Sequence, residues 1–127
     1  MNGYVADIEK KALDNDCFRE VLFTGPHCQL VVMSLMPGED IGKETHHGVD
    51  QFIRVESGEG MSVLDGVERE LRDGSAVVVP SGVEHDIVNL SLDKPMKLYT
   101  VYSPPQHPDG TVHKSKAAAM ADEHDHR

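Results

Sequence analysis

Gly74–Asn89 reads GSAVVVPSGVEHDIVN, and its punctuation sets the local structure. Ala76–Val79 is a short β-branched run, the composition of a strand packed on a pleated surface. Pro80-Ser81-Gly82 marks a turn, since Pro presets φ and Gly accepts positive φ. Asp86–Asn89 is a second short strand, opened by His85. An imidazole at that position can reach across a small barrel.

The rest of the chain repeats this rhythm. Strands are expected over Glu20–Thr24, Gln29–Met36, Lys43–His46, Gln51–Glu56, Gly60–Leu64, Val67–Leu71 and Lys97–Tyr102, separated by Gly, Pro and Asp. Asp65-Gly66 between two of them is a two-residue hairpin turn. Helical signal is confined to the ends, as a turn over Lys10–Leu13 and a short helix over Lys116–Met120 with Ser115 as its cap. The expected class is all-β, a sandwich or barrel with short terminal helical segments.

A length of 127 residues suits one domain, with a core over about 18–103, an extension over 104–121 and a frayed tail over 122–127. The net charge of −10, from 12 basic and 22 acidic residues, comes without a Lys/Arg cluster, which argues against nucleic acid as a partner. Apolar runs are too short to span a membrane, and the first twenty residues lack the apolar run of a signal peptide. The expected setting is the cytoplasm, with Cys17 and Cys28 as reduced thiols.

Gly74, Pro80, Gly82, His85 and Asn89 fill every position of a recognisable pattern: Gly, five residues, Pro, one, Gly, two, His, three, Asn. A chance match of that kind is on the order of 10⁻⁵ at average residue usage. The pattern resembles the second motif of the cupins. Gly38–Gly58, GEDIGKETHHGVDQFIRVESG, is similar to the first cupin motif, with Gly38, His46 and Gly58 in place. Glu44 stands where that motif has its first His, and Gln51 where it has Glu. The resemblance implies a double-stranded β-helix, a jelly-roll-like barrel, holding one divalent transition metal ion in its interior.

The residues themselves support a site. Glu44 and His46 are i and i+2 on one expected strand, so their side chains leave the same face. Gln51 has the opposite parity, and Gly48 supplies a turn or bulge that restores it. Carried onto the cupin pattern, the ligand set is Glu44, His46, Gln51 and His85, two imidazoles, a carboxylate and an amide oxygen suited to Fe, Mn, Ni, Zn or Co. One anionic ligand remains, so the bound ion keeps a formal charge of +1. Each position has a plainer reading: Glu44 as a solvent-facing charge, His46 and His85 as hydrogen-bonded core histidines, Gln51 as part of a buried polar network. Asp50 is the rival third ligand. His47, His107 and His113 are expected at the surface, with approach to the pocket as the alternative for His107 or His113, and His124 and His126 would hold adventitious metal at most.

Inward positions on neighbouring strands, Met33, Leu35, Ile53, Ile87, Leu98, Thr100 and Tyr102, are expected to line a pocket, with simple core packing as the alternative for each. Ser103–His113 is long enough to fold over an opening. The resemblance implies a small-molecule ligand and one of two classes of function. One is a metal-dependent enzyme on a small oxygen-rich molecule, a dioxygenase or a sugar or keto-acid isomerase. The other is a ligand-binding or sensing module without turnover. A homodimer is expected, with Val21–Thr24 and the outer residues Val32, Ser34 and Met36 as its contact.

Overall fold

The computed structural model describes residues 2–122. Helix α1 (Ile8–Asp14) is followed by β1 (Arg19–Thr24), β2 (Gln29–Leu35), β3 (Asp50–Ser57), β4 (Gly60–Leu64), β5 (Val67–Leu71), β6 (Ala76–Val79), β7 (His85–Asn89), β8 (Met96–Ser103), β9 (Val112–His113) and helix α2 (Lys116–Ala121). A six-stranded sheet has the order β6-β3-β8-β2-β1-β9, and a three-stranded sheet the order β5-β4-β7. All pairings are antiparallel. This is the expected all-β barrel, with the two expected terminal helices.

Period-two alternation builds the interior. Along β3, Gln51, Ile53 and Val55 are buried while Phe52 and Arg54 are half-exposed. Met33, Leu35, Ile53, Ile87 and Leu98 are fully buried and belong to one apolar cluster drawn from both sheets. Burial of each such side chain stabilises the fold by about 1.5–3 kcal/mol. The β4–β5 hairpin turns at Asp65 and Gly66 with φ of 47° and 81°, the left-handed pair that suits strand twist.

Two elements depart from expectation. Lys43–His46 is not a continuous strand; residues 40–44 run antiparallel to β7 through bridges at Asp40–Val88 and Glu44–His85 only. Asp86 explains the interruption, because its Oδ1 takes the Gly42 N–H (3.0 Å) that a regular ladder would use. Strand β9 was not expected, since two residues carry no readable period. It pairs with β1 at Arg19–His113 and Glu20–Val112.

The expected dimer contact also needs correction. Strand β2 is internal, and α1 lies across β2, β3 and β8 on its outer side. Val32 and Ser34 are therefore only 2% and 6% exposed within one chain; Met36 alone of the three is open. Asp7 caps α1 by accepting from Lys10 N, and Lys97 Nζ ties the following turn down through Asp16 Oδ1 (3.1 Å) and the Asn15 carbonyl.

Asn89, the last residue of the second motif, is a clamp. Fully buried, it donates from Nδ2 to the carbonyls of Leu35, Met36 and Lys94 at 2.9–3.1 Å and accepts from Ser91 N. Gly60 marks the closest backbone approach, for a Cβ there would stand 2.1 Å from Val88 O and 2.3 Å from Met96 Cε. Gly60→Ala should therefore lower unfolding free energy by about 1–3 kcal/mol, the cost of overpacking, measured by urea denaturation. An unchanged midpoint would show that β7 can shift to admit a methyl group.

Candidate metal centre

The site is assembled by backbone pairing before side chains meet. Glu44 N donates to His85 O (2.9 Å) and His85 N donates to Glu44 O (2.8 Å), a reciprocal pair that sets the two residues side by side. The Pro80–Val83 turn, closed by Val83 N to Pro80 O, also sends Gly82 N to His46 O at 2.8 Å. Ser81 completes the lock: its Oγ accepts from Gly48 N (2.6 Å) and its N donates to Asp50 Oδ1 (2.9 Å). The two motif segments are thus joined turn to turn.

Glu44, His46 and His85 converge, with one potential ligand atom from each lying within 4.8 Å of the others. His46 Nε2 contacts Glu44 Oε2 at 2.9 Å, and the two imidazole centroids are 5.2 Å apart. His85 Nδ1 lies 3.0 Å from Val83 O. That carbonyl can only accept, so Nδ1 carries the proton and Nε2 keeps its lone pair.

Residues 31–102 match the cupin domain family. The chain belongs to the cupins. It is also 44% identical over 126 residues to the uncharacterized protein YrkC of Bacillus subtilis, covering 94% of this chain and 67% of that protein. The uncharacterized protein L612 of Acanthamoeba polyphaga mimivirus is 42% identical over 113 residues, 86% of this chain and 70% of its own. A Bacillus halodurans protein of known crystal structure superimposes with a TM-score of 0.92 at 42% identity, covering 95% of this chain and 96% of that one.

The donor set of this cupin suits a metal ion. Burial works against ionisation of Glu44, yet the hydrogen bond and charge of His46, with the charges of Arg19 and His85, hold its carboxyl below the ordinary value. Burial likewise pushes the His85 imidazole down, which keeps it neutral and able to coordinate. Gln51, 3% exposed, donates from Nε2 to Thr100 Oγ1 (3.0 Å), and its buried Oε1 has no hydrogen-bond partner among the described residues. An acceptor left so is costly unless a cation or a water completes it.

The other sequence candidates fall in varied places. Asp50 is exposed, its Oδ1 accepts from Ser81 N, and it is not part of the Glu44–His46–His85 cluster. His47 is exposed. His124 and His126 lie outside the described residues. Tyr102 is buried with its ring edge-on to His46, centroids 6.0 Å apart, and to His107 at 5.0 Å. Met33, Leu35, Ile53, Ile87, Leu98 and Thr100 are fully buried. None of these seven pocket candidates, Tyr102 included, is in the wall of the cavity that adjoins the cluster.

That cavity, of about 550 Å³, is lined by Glu44, His46 and His107 together with residues that sequence reasoning missed: Phe18 before β1, Arg19 at its start, Gln106 after β8, and Lys116, Ala119 and Met120 on α2. His107 and His113 are buried, 9% and 4% exposed, against the surface position expected for them. His113 is paired into the sheet on β9 and the His107 ring packs against Tyr102, and no local period announces either. His113 lies on β9 against Arg19, with Nδ1 3.2 Å from Arg19 Nη1 and Nε2 2.8 Å from Asp122 Oδ2.

A carboxyl pair stands beside the site. Burial and a hydrogen bond with Asp40 push the Asp86 carboxyl up to about 7, while Asp40 is held low by that hydrogen bond and by Lys116. A raised carboxyl binds its proton in the folded state and not in the unfolded one, so its contribution is present below the ordinary carboxylate range and is lost as pH rises through about 7. Asp86→Asn, which keeps an acceptor for Gly42 N, should flatten the pH dependence of the melting temperature of metal-free protein between about 4 and 7 and raise it above 7. A variant whose profile parallels the parent would refute the shared proton.

Proposed function

We propose that this cupin is a metal-dependent enzyme acting on a small oxygen-rich molecule, by dioxygen-dependent cleavage or by isomerisation of a sugar or keto acid. The reading rests on one observation: Glu44 and His46 belong both to the three-ligand cluster and to the cavity wall. Ligands that face a cavity leave coordination positions for a substrate, whereas a closed structural site does not. Glu44, His46 and His85 would hold one divalent ion of Fe, Mn, Ni, Zn or Co, with Gln51 Oε1 as a fourth donor. Bound there, the ion supplies Lewis acidity toward substrate oxygens. The chain's own groups do the rest. Glu44 stays ionised, the Val83 carbonyl fixes the His85 tautomer, and Thr100 orients the Gln51 amide.

Metal analysis of protein purified without added metal tests the centre. His46→Ala and His85→Ala should each abolish retention, while Gln51→Ala should weaken affinity by about tenfold. Loss of all metal on deleting residues 124–127 would move the site to the tail. Fe(II)-, Mn(II)- and Ni(II)-loaded protein should then turn over a diol, keto acid or sugar phosphate, followed by oxygen uptake and product analysis. Tight binding without turnover across that panel would identify a ligand-binding or sensing module instead.

The homodimer is proposed on a different face from the one the sequence suggests. Val78, Phe52, Val101 and Leu30 stand opposite one another across β6, β3, β8 and β2, an apolar row on the outer side of the large sheet. Val78 at one end is 63% exposed. A second copy related by a two-fold axis would cover the row with its own equivalent. Val78→Lys should shift the mass from dimer to monomer in solution scattering; a concentration-independent monomer for the parent protein overturns the contact. Free Cys17 and Cys28 suit a reducing, cytoplasmic setting.

A further inference from the structure

We propose that the cavity beside the metal cluster takes a small molecule with an oxygen-bearing head, met by Glu44 and His46 and the ion they hold, and an uncharged apolar tail, met by Phe18, Ile41 and Met120. The inference rests on the metal-centre reading and deepens it by narrowing the substrate class, which then excludes phosphorylated or otherwise charged tails.

Charge pairing carries the first half of the argument. The cavity wall holds three cations, Arg19, Lys43 and Lys116. Lys43 pairs with Glu84 (3.9 Å) and Lys116 with Asp40, while Arg19 contacts His113, whose Nε2 meets Asp122. The one anion of the wall, Glu44, belongs to the metal cluster and contacts His46. Each charge on the wall is thus already held by a neighbour. A charged tail would lose water on entering and would have to break one of these contacts to find a counterion. An uncharged tail meets neither cost.

Apolar contact carries the second half. Phe18 and Ile41 are buried residues of the cavity wall, whereas Met120 on α2 is 63% exposed and still lines the cavity. An exposed methionine in a concave wall offers apolar surface that a ligand can remove from water, and its flexible thioether adapts to the shape it covers. Phe18 and Met120 stand on parts of the chain other than those that bear Glu44, His46 and His85. Head and tail are therefore met by different segments. Seven of the thirteen wall residues, Phe18 and Met120 among them, lie outside the family match at 31–102. The choice of tail is a property of this chain's flanks.

The test is calorimetric titration of the full chain, both metal-free and Zn(II)-loaded, with three compounds that share a hydroxyketone head. Hydroxyacetone has no ring, phenacyl alcohol carries a neutral ring, and para-carboxyphenacyl alcohol carries a charge at the far end of that ring. Phenacyl alcohol should bind the Zn(II)-loaded protein about tenfold or more tighter than either of the others. Met120→Ala should weaken it by about threefold or more and leave hydroxyacetone unchanged. Met120→Lys should narrow or reverse the gap to the carboxylate. Met120 is exposed, so both variants should keep the fold. Equal or tighter binding of the carboxylate, equal binding of hydroxyacetone, absence of phenacyl alcohol binding, or indifference to Met120→Ala overturns the proposal. Zinc retention in the same samples separates the readings. Retention without preference for the neutral ring overturns the tail alone, and that preference in protein that retains no zinc overturns the metal centre alone.

Discussion

The reciprocal backbone pair between Glu44 and His85 is the constraint on which the site depends. These residues are distant in sequence, and the loop-closure entropy of bringing them together is met by the β fold and not by the site. Once the 40–44 segment lies along β7, carboxylate and imidazole share an edge of the small sheet, and His46 follows two residues later on the same side. The Gly82–His46 bond then prevents the segment from sliding along its partner. Ligand positions held by main-chain bonds vary less than positions held by side-chain packing, which is what a coordination site requires.

The interruption at Gly42 is part of the same design. A regular ladder would leave the Asp86 carboxyl unused; here it accepts from Gly42 N and shares a hydrogen bond with Asp40. Asp40 pairs in turn with Lys116 on α2. The Glu44–His46–His85 cluster, the irregular segment and the helix at the cavity wall are therefore one connected set of polar contacts. A change in the protonation of the pair reaches both His85's strand and α2, because the two aspartates belong to different segments of the small sheet's edge.

Legibility in the sequence followed the range of the forces involved. The turns at Asp65-Gly66 and Pro80–Val83 were readable because φ preferences are local, and the strands around them follow from period-two burial. The convergence of Glu44, His46 and His85 was readable from their places in the two sequence motifs, although the expected strand over Lys43–His46 is irregular. Long-range effects were not. Asp86 reaching across to Gly42 breaks an expected strand, α1 covers Val32 and Ser34, and the two-residue β9 brings His113 against Arg19. Of the expected pocket residues, six are fully buried core, since an inward position alone does not tell a cavity wall from packed interior.

The division between shared and private parts of the chain carries a further consequence. The cluster and its backbone frame lie within residues 31–102, the span this chain has in common with the cupins. Phe18 and the start of β1 at Arg19, the 106–107 segment and α2 lie outside it and line one side of the cavity. Arg19 ties these flanks together, because it pairs with β9 in the sheet and with His113 through its side chain, while its charge acts on Glu44. The C-terminal return therefore helps to hold the cavity wall beside Glu44, through the Arg19–His113 pair in the sheet and the contact between their side chains.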